Sequence, residues 1–188
     1  MKNSYIYLFF LISLIGCSKA IAPVDSALDQ QILHFGNGSE PQGLDPHIVT
    51  GVPEHHLLIA MCEGLTIANP KGWENLPGVA KSWTISPDGQ TYTFYLQEDA
   101  KWSNGDQLTA SDFVWSWMRI LTPSLGSQYP DMLYYVKGAP EYHQGLTDDF
   151  SSVGVTAVND FELKVELTNA TPFFIKLLSH YSTYPVHK

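Results

Sequence analysis

Trp83-Thr84-Ile85-Ser86-Pro87-Asp88-Gly89-Gln90-Thr91-Tyr92-Thr93-Phe94-Tyr95-Leu96 sets β-branched and aromatic residues on both sides of Pro-Asp-Gly. Pro87 presets φ for a turn and Gly89 accepts positive φ, so the segment predicts a β-hairpin. Strand geometry puts Tyr92, Phe94 and Leu96 on one face and Thr91, Thr93 and Tyr95 on the other. Downstream, Lys101-Trp102-Ser103-Asn104-Gly105 reads as a second tight turn. Thr109-Ala110-Ser111-Asp112 is close to a capping box, with Asp where Glu or Gln is usual. Its helix runs to about Leu121 and ends at Pro123. Phe113, Trp117 and Ile120 lie along one stripe and Val114, Met118 and Leu121 along its neighbour, which makes a wide apolar face.

Further out, Leu163, Val165 and Leu167 alternate with Lys164 and Glu166. This predicts a strand with one wet face, paired with Val153–Ala157 across Asn159-Asp160. Pro172 starts a helix through Phe173, Phe174, Ile175, Leu177 and Leu178. Upstream, Pro53 opens a helix over Glu54–Met61, with Glu54 at the positive end of the dipole and Gly64 as the stop. Gln31–Phe35, bounded by Gly36-Asn37-Gly38, reads as a strand entering a glycine-rich turn. Cys62, at the end of Leu57-Leu58-Ile59-Ala60-Met61, is expected to be a small buried hydrophobe.

The chain has 188 residues, 10 Lys+Arg against 19 Asp+Glu and a net charge of −9. With 44% apolar, 13% aromatic and only 15% charged residues, it is too apolar for a disordered chain. It has no basic run, so nothing in it suits a phosphate backbone, and nucleic acid is excluded as a partner. Residues 1–17, Met-Lys-Asn-Ser-Tyr-Ile-Tyr-Leu-Phe-Phe-Leu-Ile-Ser-Leu-Ile-Gly-Cys, carry one cation and then an apolar run too short to span about 30 Å of hydrocarbon. They read as a secretory leader. Leu14-Ile15-Gly16-Cys17 resembles a bacterial lipobox, which implies cleavage after residue 16 and a lipid anchor on Cys17. An ordinary leader with an incidental cysteine is the alternative. Residues 17–30 read as a tether. With Cys17 acylated, only Cys62 remains and no intrachain disulfide can form.

Several ordered blocks then carry a resemblance. Ser39-Glu40-Pro41-Gln42-Gly43-Leu44-Asp45-Pro46-His47, Cys62-Glu63-Gly64-Leu65, Leu76-Pro77-Gly78-Val79-Ala80-Lys81-Ser82-Trp83 and Lys101–Gly105 with Thr109–Phe113 occur in sequence. With Gly154-Val155, Thr171-Pro172-Phe173-Phe174 and Tyr184-Pro185-Val186, they resemble the oligopeptide/dipeptide class of bacterial extracellular solute-binding proteins, the substrate-capturing subunit of an ABC importer. The resemblance covers about Ile32 to Lys188. It departs at Gln97, where the family usually has Arg or Lys, and in length, because family members are roughly three times as long.

The resemblance implies an α/β, two-lobed, class II periplasmic-binding-protein-like fold. In it, 31–62 would be the first segment of lobe one and 63–187 a small accessory α/β domain. The rest of lobe one and all of lobe two would lie beyond this N-terminal fragment. It further implies a noncatalytic receptor, without cofactor, that sits in the periplasm or cell envelope and delivers oligopeptides to ABC permease subunits. A receptor for many peptides must hold the main chain, as an added strand does. The family pattern puts that strip at Thr50, Gly51 and Val52, with Gly51 allowing close approach, and brings Tyr129 of Ser127-Gln128-Tyr129-Pro130 to the ligand from the accessory domain. The rival readings are a turn leading into a helix and a surface-packed tyrosine. Murein peptide, haem or a nickel complex are alternative ligands, and a free-standing surface lipoprotein with an adhesive or structural role is an alternative protein.

Enzyme readings have less support. His55, His56, Cys62 and Glu63 suggest zinc, but adjacent histidines on a helix point about 100° apart, so no metal site is expected. No G-x-S-x-G, H-E-x-x-H or P-loop pattern occurs. Trp83, Trp102, Trp115 and Trp117 read as core and Trp73 as an exposed ring.

Overall fold

The computed structural model describes Ala27 and residues 30–188. The expected leader over residues 1–16, the lipid-accepting Cys17 and most of the tether lie outside those described residues. The chain divides after Gly38, and Ser39–Lys188 form one compact unit. Before the division, residues 32–37 take no regular secondary structure, and Ile32, Leu33 and Phe35 are exposed. The strand expected over Gln31–Phe35 is therefore not formed. A lone strand leaves its N–H and C=O groups unsatisfied, and among the described residues no strand pairs with it.

Helix α1, Val52–Met61, opens the compact unit with Pro in its first turn and Gly51 as N-cap. Two short strands, β1 (Thr66–Ile67) and β2 (Leu76–Pro77), pair antiparallel. The expected hairpin follows as β3 (Ala80–Ile85) and β4 (Thr91–Leu96). Its turn closes through Ser86 N–H to the Thr91 carbonyl at 2.9 Å, and Gly89 takes φ +71°, a conformation that disfavours a Cβ.

Helix α2, Ala110–Leu121, and the short α3, Ala139–His143, lead to a second hairpin, β5 (Val155–Asn159) and β6 (Glu162–Glu166). The four longer strands make one antiparallel sheet in the order β3-β4-β6-β5. Tyr92 faces Val165 and Phe94 faces Leu163 across the β4–β6 pair. All four side chains are buried, so the period-2 reading of both strands holds.

The Asp112 carboxylate accepts from the Thr109 N–H at 2.7 Å and from its hydroxyl at 3.0 Å, which starts α2 where the sequence indicates. Phe113, Trp117 and Ile120 of α2 join Phe94, Leu96, Leu163 and Val165 in the main core. Of the neighbouring stripe Leu121 is buried, whereas Val114 and Met118 are half-buried. The last helix, α4, Phe174–Leu177, places Phe174 in that core.

Two single residues differ from expectation or explain a departure. Cys62 is exposed, which corrects its reading as a core hydrophobe. It caps α1 in an extended conformation, φ −125° and ψ 162°, so the helix has ended before its side chain could join the inward face of Glu54 and Leu58. Gln97 sits where the resemblance puts a cation. Its amide donates to the Gly78 carbonyl at 2.6 Å and its N–H to that of Val79 at 2.9 Å, so a neutral side chain ties β4 to the start of β3.

Candidate functional site

The loop from Ser39 to Glu54 walls a cleft of about 510 Å³, lined by Gln42, Asp45, Val49, Thr50, Gly51 and Glu54 among others. Local chemistry shapes it. Asp45 makes an Asx-type turn, accepting the His47 N–H on Oδ1 at 3.0 Å. The Asp45 carbonyl takes the N–H groups of Ile48 and Val49, each at 3.1 Å. Glu54, only 4% exposed, folds back from the first turn of α1 and accepts the Gln42 N–H at 2.7 Å. A Cβ on Gly51 would lie 1.9 Å from Glu54 Oε2, so this position excludes any side chain unless the buried carboxylate moves.

Thr50 and Gly51 line the cleft and lead through the exposed Val52 into α1, where helix geometry leaves the first-turn N–H groups without intrahelical acceptors. Tyr129, 79 residues away in sequence, reaches this strip. Its hydroxyl points at the Thr50 carbonyl at 3.4 Å, and the Tyr181 hydroxyl donates to the Val49 carbonyl at 3.0 Å. Of the four residues marked in the sequence for the ligand, the structure sets Tyr129 against Thr50 and places Thr50 and Gly51 in the cleft lining, whereas Val52 is 66% exposed and outside that lining.

Tyr129 stands edge-on to His180 at 5.1 Å and to Tyr181 at 6.1 Å, while His180 stacks on Tyr181 at 4.3 Å. Burial, with the neighbouring Tyr129, pushes the Tyr181 hydroxyl up to about 12, so it stays a donor at ordinary pH. His180 is held below the usual imidazole value by burial and then by the charge of His55. His55 and His56 belong to this ring cluster. Among the described residues no three His, Cys, Asp or Glu side chains are grouped to hold a metal ion.

Behind the strip lies a cluster that the sequence did not announce. Arg119 of α2 forks onto Asp45, with NH1 donating to Oδ1 at 3.0 Å and NH2 to Oδ2. NH1 also lies 2.9 Å from His47 Nδ1. His47 is 1% exposed, and its Nε2 is 3.0 Å from the Tyr184 carbonyl. Burial works against ionisation of Asp45, but the Arg119 and His47 hydrogen bonds and the Arg119 charge outweigh it and hold its carboxyl low. No sequence signal joins Asp45 to Arg119, because the pair is 74 residues apart. Only the family block Asp45-Pro46-His47 marked one end of it.

The sheet, the capped helix and this cleft define an α/β binding protein of the class II periplasmic type, present here in part. Residues 75–188 match the family of bacterial extracellular solute-binding proteins, family 5 Middle, and the chain belongs to that family. It is 43% identical over 162 residues to the periplasmic oligopeptide-binding protein OppA of Escherichia coli, covering 85% of this chain and 29% of that protein. The oligopeptide-binding protein OppA of Bacillus subtilis is 41% identical over 83% of this chain. The structure of Haemophilus influenzae OppA in complex with RPPGFSPFR superposes with a TM-score of 0.76 at 39% identity, covering 80% of this chain and 29% of that one. The unliganded open form of the murein tripeptide-binding protein MppA gives 0.75 at 37% identity, covering 79% and 29%. The chain therefore spans less than a third of the length of these relatives.

Proposed function

We propose that this protein captures oligopeptides outside the cytoplasm through their main chain and hands them to an ABC permease, without catalysis or cofactor, while tethered to a membrane by lipid on Cys17. In this reading 31–62 opens lobe one and 63–187 is its accessory domain. Thr50, Gly51 and Val52 offer backbone groups to an extended ligand, and Tyr129 closes over it. The observation that carries the reading is the meeting of the Tyr129 hydroxyl and the Thr50 carbonyl at the rim of the cleft. That contact sets a rigid aromatic donor beside the strip's main chain. The named relatives support the ligand class, and the MppA likeness favours murein peptide as the second reading.

The test is an NMR titration of the protein with tri- to pentapeptides of unrelated sequence. Amide shifts at Thr50, Gly51 and Val52 and ring shifts at Tyr129 are expected to move with every peptide, and Tyr129→Ala should weaken binding several-fold. Shifts that respond to a murein peptide alone would select the second reading. Silence to all peptides, with a response to haem or a nickel complex, would overturn both.

A further inference from the structure

The geometry points to Arg119 and His47 as positioning residues for the candidate ligand strip, fixing through Asp45 the direction in which Val49–Gly51 cross the cleft. This rests on the strip being the ligand-binding element, yet the contacts behind it fix its chemistry independently. Arginine has no acceptor, so the 2.9 Å contact of NH1 with His47 Nδ1 requires Nδ1 to accept. The ring proton must then sit on Nε2, where it is donated to the Tyr184 carbonyl at 3.0 Å. One tautomer of a buried imidazole satisfies both neighbours, and a second ring proton would point at the guanidinium.

Arg119 is equally constrained. Its NH1 serves Asp45 Oδ1 and His47 Nδ1 while NH2 takes Oδ2, a planar fork that lysine cannot reproduce. Asp45, held in this way, uses Oδ1 on the His47 N–H and its carbonyl on the N–H groups of Ile48 and Val49. The next residues are the strip. Arg119 stands on α2, whose Phe113, Trp117 and Ile120 are locked in the core, and Tyr184 follows the segment that receives the Trp117 indole N–H at 3.1 Å. The loop is thus referenced to the rigid part of the molecule from two sides. Neither Arg119 nor His47 need touch the ligand, and the two act through Asp45.

Hydrogen exchange and ring ¹⁵N NMR on the protein test this without any ligand. In Arg119→Gln the amides of Ile48 and Val49 should exchange about tenfold faster or more, because a charge-assisted network is lost. The amides of Thr93 and Phe94 should stay within about twofold, and the His47 ring should change from pure Nε2–H to a tautomer mixture. Arg119→Lys should fall between, and it answers the question if the glutamine variant does not fold. Equal acceleration in strip and sheet would make Arg119 a general fold contact and overturn the proposal, as would unchanged exchange at Ile48 and Val49. In parallel, trialanine is titrated into each variant. Loss of affinity that follows the exchange at Ile48 and Val49 supports the coupling. A wild-type protein that ignores trialanine and other peptides refutes the ligand reading, while the exchange pattern still decides whether Arg119 and His47 position the cleft wall.

Discussion

His47 is buried and has a partner at each ring nitrogen. Burial is the main influence on its proton affinity and lowers it, with the Arg119 charge adding to the effect, while the Tyr184 carbonyl and the Asp45 charge pull the other way. The net value lies below the ordinary 6.5, so near that pH the unfolded chain takes up a proton that the folded chain refuses. Stability contributed by neutral His47 is then complete above about pH 6.5 and declines as pH falls toward the folded value. His180, lowered by burial and His55, acts in the same sense. Asp45 is lowered too, from 3.8, and its contribution is lost only in stronger acid. Calorimetric melting across pH should show a plateau above about 7, a first decline below about 6.5 and a second below about 3.8. In His47→Asn, which keeps an acceptor toward Arg119 but cannot titrate, the first decline should shrink. An unchanged decline would show that His47 does not control it.

Among the elements, the capped helix α2 carries the site, because its inner face builds the core and its Arg119 holds the loop. Removing the cap by Asp112→Ala should cost about 1 kcal/mol, read as a lower urea midpoint at unchanged slope. Glu166→Ala should cost less, because its pair with Lys164, 2.6 Å long, is about two-fifths exposed on each side. Equal losses would mean that the cap is not what starts α2. Both hairpins, the cap and the period of α2 could be read from sequence, because each is set by residues a few positions apart: Pro87 and Gly89, Thr109 and Asp112, Leu163 and Val165. Exposure of Trp73, 87%, was legible from its polar neighbours. The missing strand at Gln31–Phe35 was not, because a short apolar run bounded by glycines shows where a strand would turn and not whether a partner exists. Cys62 was misread for a related reason, since an apolar run does not show where its helix ends. Thr50, Gly51, Val52 and Tyr129 came from family likeness rather than from any physical pattern. The Asp45–His47–Arg119 cluster has no sequence signature, because nothing local couples residues more than 70 positions apart.

At the scale of the molecule, α1 leaves large apolar side chains uncovered. Leu58 packs inward against Tyr181 and Tyr184, but Val52, Ile59 and Met61 are exposed at 66%, 47% and 68%. At 100° per residue Val52 and Ile59 share one face of the helix and Met61 lies on the opposite side, and a helix that is apolar around more than one face belongs in an interior. The relatives extend well beyond the stretch that this chain matches, since it covers 29% of the Escherichia coli protein. A peptide lying on the strip would meet the cleft wall on one side and water on the other, so its backbone groups would be only half desolvated. Affinity of the 188-residue chain for a tripeptide should therefore be weak, on the order of 1 mM or about −4 kcal/mol. Joining to it the portion of the Escherichia coli relative that it does not match should do two things together. Binding of an apolar dye should fall as Val52, Ile59 and Met61 become covered, and tripeptide affinity should rise at least a hundredfold, about 2.7 kcal/mol. If dye binding falls while affinity does not rise, the added part covers α1 without completing a grip at Thr50–Val52, and the reading of that strip as the ligand's seat fails.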